Sequence, residues 1–256
     1  MSDLSGKIAL ISGTGGGMGR AAALEFARQG AAVVGCDMNA EGAEETVALV
    51  EAEGGRMRSV HPVDLTTEEG AARWAEDAVQ AFGGIDILFN NASVARVGPW
   101  DEVTYEAWKF SLTYELDIVY LSTKAAWPHL VARGGGVVIN TASVAGHIGA
   151  RFVHQHAHGA AKGGVLAFTK QLVASGAPHG IRAVSISPGL IVTPATEPVI
   201  AALGPEGRAA MAGANPAGRF GRPEDVASVA AFLASDAAGY VNGSDIVVDG
   251  GVIAAP

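Results

Sequence analysis

Short apolar runs alternating with longer amphipathic stretches constrain this chain more than any other feature of its sequence. The runs lie at Lys7–Ser12, Ala32–Cys36, Met57–Val60, Ile85–Phe89, Val137–Asn140, Arg182–Ile186 and Ile246–Val248. Between them stand Arg20–Gln29, Ala40–Glu53, Glu68–Phe82, Tyr105–Leu130, Gly159–Ala177 and Glu224–Ala234. A continuous apolar run of roughly four to eight residues suits a strand buried on both faces, and such a strand needs helices above and below it. The repeated order therefore predicts an α/β fold, a Rossmann-like doubly wound parallel sheet of about seven strands with helices on both faces. Right-handed crossovers place the ligands of such a sheet beyond the carboxyl ends of its strands. With 256 residues, 49% of them apolar, and no Pro/Ser-rich linker, residues 1–256 read as one domain.

Charge and cysteine usage narrow the function classes. A formal net charge of -9 disfavours nucleic acid and anionic membrane as partners. Cys36 is the only cysteine, so no intramolecular disulfide can form, and a reducing, cytoplasmic location is expected. No apolar run approaches the roughly 18 residues of a membrane span. MSDLSGKIALISG at the start lacks the basic-then-apolar layout of an export signal.

The first run leads into Ser12-Gly-Thr-Gly-Gly-Gly-Met-Gly-Arg20 and then an apolar-rich helix. Glycines let the backbone turn sharply and approach a pyrophosphate, while the helix offers unpaired N–H groups and its positive dipole end. Gly13, Gly17, Met18 and Gly19 are thus candidate dinucleotide contacts. Asp37, beside Met38, closes the second run, where a carboxylate accepts ribose hydroxyls and repels a 2′-phosphate; NAD is the expected cofactor. Asn39 competes with Asp37 as the cap of the next helix. Asp64, beside Leu65, suits an adenine amino group or a cap for the helix at Glu68. Asn91 and Ala92, in Asn90-Asn91-Ala92-Ser93, follow the fourth run, where an amide can serve a cofactor edge and neighbouring backbone together.

The stretch Val137–Lys162 carries the candidate chemistry. Ser143 emerges into a Gly-containing loop, and His158 stands four residues before Lys162, on one face of a helix. A hydroxyl, a titratable ring and a cation make a proton-transfer site. Each has a plainer alternative: a turn cap for Ser143, a surface position for Lys162. His147, His154, His156 and His158 raise the question of a metal, but only His154 and His158 have helical ligand spacing and no cysteine lies nearby to complete a set, so none is expected. Pro188 and Gly189 shape a turn after the sixth run, and Ile191 and Thr193 are placed to meet a carboxamide. Residues 194–220, rich in Ala, Gly and Pro, read as a mobile cover over a substrate with an apolar body, or else as an ordinary pair of surface helices. Trp100, Phe152 and Met211 are possible walls. The apolar tail after the last run calls for burial against another subunit.

Taken in order, the glycine loop, Asp64, Asn90–Ala92, Ser143, Lys162, Pro188-Gly189 to Thr193, Gly221-Arg-Pro-Glu-Asp and Val248-Asp-Gly-Gly251 resemble the short-chain dehydrogenase/reductase family over nearly the whole chain. The resemblance implies an NAD(P)-dependent oxidoreductase, usually a homotetramer, with Lys162 on the nicotinamide ribose and Ser143 on the substrate oxygen. Three positions depart from the family pattern. His158 stands where a tyrosine is usual, Glu115 where an ungapped alignment puts an asparagine, and Ser93 where a glycine ends the asparagine motif. An imidazole exchanges protons near neutrality, and a carboxylate beside it would fix its tautomer. The expected activity is NAD-dependent interconversion of a secondary alcohol and a ketone, with His158 as acid/base and Ser143, Lys162 and Glu115 around it. A catalytically silent NAD-binding protein and a non-redox lyase or isomerase are the alternatives.

Overall fold

A computed structural model describes residues 3–149 and 154–255. Seven strands, β1 (Ile8–Ser12), β2 (Ala32–Cys36), β3 (Arg56–Val60), β4 (Ile87–Asn90), β5 (Gly136–Thr141), β6 (Ile181–Pro188) and β7 (Asp245–Val248), form one sheet in the order β3-β2-β1-β4-β5-β6-β7. Every neighbouring pair is parallel. The helices are α1 (Gly17–Arg28), α2 (Ala40–Ala52), α3 (Glu68–Phe82), α4 (Tyr105–Leu112), α5 (Ile118–Ala132), α6 (His156–Gly176), α7 (Glu197–Ala202), α8 (Gly204–Ala214) and α9 (Pro223–Ala234).

Both faces of the inner strands are buried, as the apolar runs require, while the edge strands β3 and β7 are partly exposed. On one side α1 and α9 pack through Ala22, Ala23, Phe26, Val226 and Ala230 against Ala9, Ile11 and Phe89. Phe26 stacks on Phe89 with centroids 6.3 Å apart. On the other side α3, α5 and α6 bury Trp74, Ala126, Leu130 and Val165 against Leu10, Val34 and Leu88. Trp74 is fully buried and its indole N–H donates to the Val34 carbonyl at 3.2 Å, so its one polar atom is satisfied.

Three expectations change. Tyr105–Leu130 is not one helix: a π-helical turn, Thr113–Asp117, separates α4 from α5. The helix carrying His158 begins at His156, a turn before Gly159, and Gln155 caps it with no side-chain hydrogen bond. Thr67 caps α3 by accepting from the Gly70 N–H; Asp64 instead accepts from the backbone and hydroxyl of Thr66. Asn39 caps α2, accepting from Gly42. Residues 194–220 contain the helix pair α7 and α8. Among the described residues no helix is long and apolar enough to cross a membrane.

Candidate active site

Strand order reverses between β1 and β4, so the loops leaving them flank one crevice at the carboxyl edge of the sheet. Ser12, the last residue of β1, ties these loops together. Its hydroxyl accepts from the N–H groups of Asn91 and Ala92 at 2.9 and 3.0 Å, and its carbonyl accepts from the Asn91 amide at 2.9 Å.

The crevice fits a dinucleotide. Gly13 has φ +75°, and a Cβ on Gly19 would lie 1.9 Å from the Gly13 carbonyl oxygen, so this helix start closes on its loop only without a side chain. No side chain caps α1 and no acidic residue occupies its first turn, leaving donors for a phosphate. Asn91 Oδ1 is buried without a hydrogen-bond partner among the described residues, an acceptor still lacking its donor. Thr193 lies across from the loop: a Cβ on Gly17 would come within 3.2 Å of it. Asp37 accepts from the N–H groups of Gly15 at 2.7 Å and Asn39 at 2.8 Å. Met38 is exposed beside it, while Leu65 is buried and Met18 leans on the α1 core. Pro188 ends β6, Gly189 donates to the Val248 carbonyl, and Ile191 is buried and bridged to Gly221.

Beyond β5 the four candidate catalytic residues meet. His158 Nε2 lies 3.2 Å from Ser143 Oγ, and Nδ1 lies 2.8 and 2.9 Å from the two oxygens of Glu115. The π-helical turn presents Glu115, which is 1% exposed, to this ring. Lys162 Nζ donates to the Thr141 carbonyl at 2.9 Å and stands 3.9 Å from Glu115. Ser93 Oγ donates to Glu115 Oε1 at 2.5 Å. The three departures from the family pattern, Ser93, Glu115 and His158, thus form one hydrogen-bonded chain. The sequence signals Ser93 only by its place in the asparagine motif, since its partner arrives from a distant turn. Ser143 also caps a turn, accepting from Ala145 N at 3.1 Å.

Electrostatics fix the protonation of this cluster. Burial raises the Glu115 carboxyl, but the hydrogen bond from His158, the Lys162 charge and Ser93 outweigh it and hold the group below its ordinary value. Burial lowers the Lys162 ammonium, and Glu115 opposes that. An ionised Glu115 only accepts, so Nδ1 is assigned a proton, and in the neutral ring Nε2 then offers a lone pair to Ser143.

The other histidines behave differently. His147 Nε2 contacts Asp245 at 2.9 Å and Ser187 at 3.2 Å. His154 precedes α6, which removes the helical spacing with His158, and its ring stacks on His156. Among the described residues no group of three or more His, Cys, Asp or Glu side chains could hold a metal ion. Trp100 is largely exposed and lies edge-on to His156, a weak candidate for a pocket wall; Met211 lies on α8, and Phe152 falls outside the described residues.

Comparison with known proteins agrees with the fold. A family model described as enoyl-(acyl carrier protein) reductase matches residues 13–253. The chain is 39% identical over 245 residues to cyclohexanol dehydrogenase of Acinetobacter sp. (strain SE19), covering 95% of this chain and 94% of that one. It is similar to a short-chain type dehydrogenase/reductase from Mycobacterium marinum, with TM-score 0.93, 33% identity and coverage of 99% and 98%. A putative NAD(P)-dependent gluconate 5-dehydrogenase from Beutenbergia cavernae with bound NADP gives TM-score 0.90, 35% identity and 99% coverage of both chains.

Proposed function

The chain belongs to the short-chain dehydrogenase/reductase family of NAD(P)-dependent oxidoreductases, and from that premise we propose that it interconverts a cyclic secondary alcohol and its ketone with NAD, using His158 as acid/base. The observation that carries this reading is the placement of His158 between Ser143 and Glu115.

Ser143 positions the substrate oxygen beside Nε2. In the oxidative direction the alcohol proton passes to the Nε2 lone pair, while Glu115 holds the Nδ1 proton and stabilises the imidazolium that forms. In the reductive direction the same imidazolium protonates the ketone oxygen. Lys162 would hold the nicotinamide ribose, and it offsets the Glu115 charge. A bound nicotinamide would supply the hydride acceptor or donor at its ring. The Asn91 amide, the Gly13–Gly19 loop and Thr193 would hold that cofactor.

Asp37 supports NAD over NADP, because a carboxylate at the end of β2 accepts ribose hydroxyls and repels a 2′-phosphate. The cyclic, apolar substrate rests on the similarity to cyclohexanol dehydrogenase and on the Ala-rich segment that contains α7 and α8. Exposed Phe232 and Val247, together with the apolar tail, support a homotetramer.

Absorbance at 340 nm with cyclohexanol and each nucleotide tests the reading. NAD should support turnover better than NADP. His158→Phe should lower kcat by about 10²–10⁴-fold and leave NAD affinity within about twofold, a change under roughly 0.4 kcal/mol. Wild-type turnover in that variant removes the histidine from the mechanism.

A further inference from the structure

Proton transfer during hydride chemistry needs one carrier beside the substrate oxygen. It does not need a hydroxyl, an imidazole and a buried carboxylate in line, yet Ser143, His158 and Glu115 are so arranged. Ser143 Oγ and Glu115 lie on opposite ring nitrogens, at 3.2 Å and at 2.8 and 2.9 Å. This is the constellation of an activated serine: a nucleophile within reach of a base that a third group orients. We propose that Ser143 is an acylatable nucleophile and that this site hydrolyses activated carboxylic esters without any nicotinamide nucleotide.

Two features separate this cluster from a chance contact. Glu115 is nearly fully buried and doubly hydrogen-bonded to Nδ1, with Ser93 and Lys162 on its remaining sides, so the ring cannot rotate without breaking contacts. The second histidine that touches both a carboxylate and a serine, His147, meets Asp245 and Ser187 through the same atom, Nε2. One nitrogen cannot donate to the acid and accept from the hydroxyl at once, so His147 lacks the relay that His158 has. The His158 side chain is 20% exposed and Ser143 is half-buried, so a small acyl group can reach both.

The step balances without a redox partner. Ser143 Oγ attacks the acyl carbon and its proton moves to Nε2, while the Nδ1 proton stays on the ring, hydrogen-bonded to Glu115. Collapse of the tetrahedral adduct breaks the bond to the leaving oxygen, which departs as the phenolate, and the proton on Nε2 passes to that oxygen or to solvent, so that the Nε2 lone pair is free again. Water then adds to the acyl-serine, giving its proton to Nε2, and the acid leaves as the Ser143 hydroxyl is restored. A phenolate needs no protonation to leave, so aryl esters are the class expected to react.

The test uses the purified chain without nucleotide. Diisopropyl fluorophosphate should add once per chain, and peptide mapping should place the adduct on Ser143. Hydrolysis of p-nitrophenyl acetate should fall at least about 10²-fold in Ser143→Ala and at least about tenfold in Glu115→Gln. No adduct on the wild-type chain, or an adduct on another residue, overturns the proposal; so does hydrolysis that survives Ser143→Ala in full. Wild-type labelling decides the matter even if a variant fails to fold. Because the oxidoreductase assay reads nucleotide absorbance and this one reads p-nitrophenolate and a covalent mass, either activity can fail alone and be recognised as failing.

Discussion

One buried carboxylate answers to two hydrogen-bonding partners and one cation at the active site. Glu115 balances Lys162 at 3.9 Å, orients His158 and receives the Ser93 hydroxyl. Removing one member of a buried charge pair leaves the other uncompensated, which typically costs about 3–5 kcal/mol. His158 and Ser93 remain to solvate a glutamine, so Glu115→Gln should destabilise by about 2–4 kcal/mol, read from urea unfolding. In a Lys162→Met background the same change should cost less, because no orphaned ammonium is then created. Equal costs in both backgrounds would show that Lys162 and Glu115 do not interact. Ser143, His158 and Lys162 could be picked out of the sequence because chemistry at a strand end followed by i,i+4 spacing on a helix is a local pattern, whereas Glu115 is reached only through its place in the family alignment. The bond from Ser93 to Glu115 could not, since it spans two elements and depends on the rotation of one helical turn.

At the scale of elements, that rotation comes from the π-helical turn Thr113–Asp117. One added residue shifts the phase of everything after it by about 100°, and no residue type marks the insertion. The sequence therefore predicts an unbroken stretch from Tyr105 to Leu130, where the structure has two helices and a joint. The strands and the glycine loop read more easily: strands buried on both faces are mostly apolar, with polar residues such as Ser12, Asn90 and Asn140 hydrogen-bonded within them, and a helix closing on its own loop admits only glycine. Gly19→Ala tests the second statement. Its Cβ would meet the Gly13 carbonyl at 1.9 Å and the Asn91 amide at 2.8 Å, so α1 must shift from the loop. NAD affinity should fall at least about tenfold, or roughly 1.4 kcal/mol, by titration calorimetry. Gly83→Ala is the contrasting change. Its φ of +92° strains an alanine, but nothing lies within 4 Å, so about 1 kcal/mol of stability should be lost with cofactor affinity intact.

For the whole molecule, pH separates the buried site from the surface. Glu115 and Asp225 both have carboxyls held below their ordinary values of 4.5 and 3.8, Asp225 at about 2 through its bonds to Arg219 and the Arg222 N–H. A carboxyl with a lowered folded-state value binds protons more readily when the chain is unfolded. Its stabilisation is therefore complete above the unfolded value and is lost as pH falls through the folded one. The Glu115 contribution should be complete above about pH 4.5 and decline below it, where the unfolded chain takes up a proton at this residue more readily than the folded one does, and its hold on His158 and Lys162 is lost once the folded carboxyl protonates. Protonation of the other carboxylates first relieves the net charge of -9, then leaves the lysines, arginines and histidines repelling one another, which steepens the fall. Asp225 lies nearer solvent, so screening limits its share to about 1 kcal/mol, and molar salt should erase most of it. Glu115 lies out of reach of that screening. Urea midpoints measured across this range in low and high salt should thus show a decline that salt reduces only in part, and Glu115→Gln should flatten the part that salt leaves. A decline that disappears entirely in molar salt would place the acid-sensitive groups on the surface and leave the buried carboxylate without the charge assigned to it.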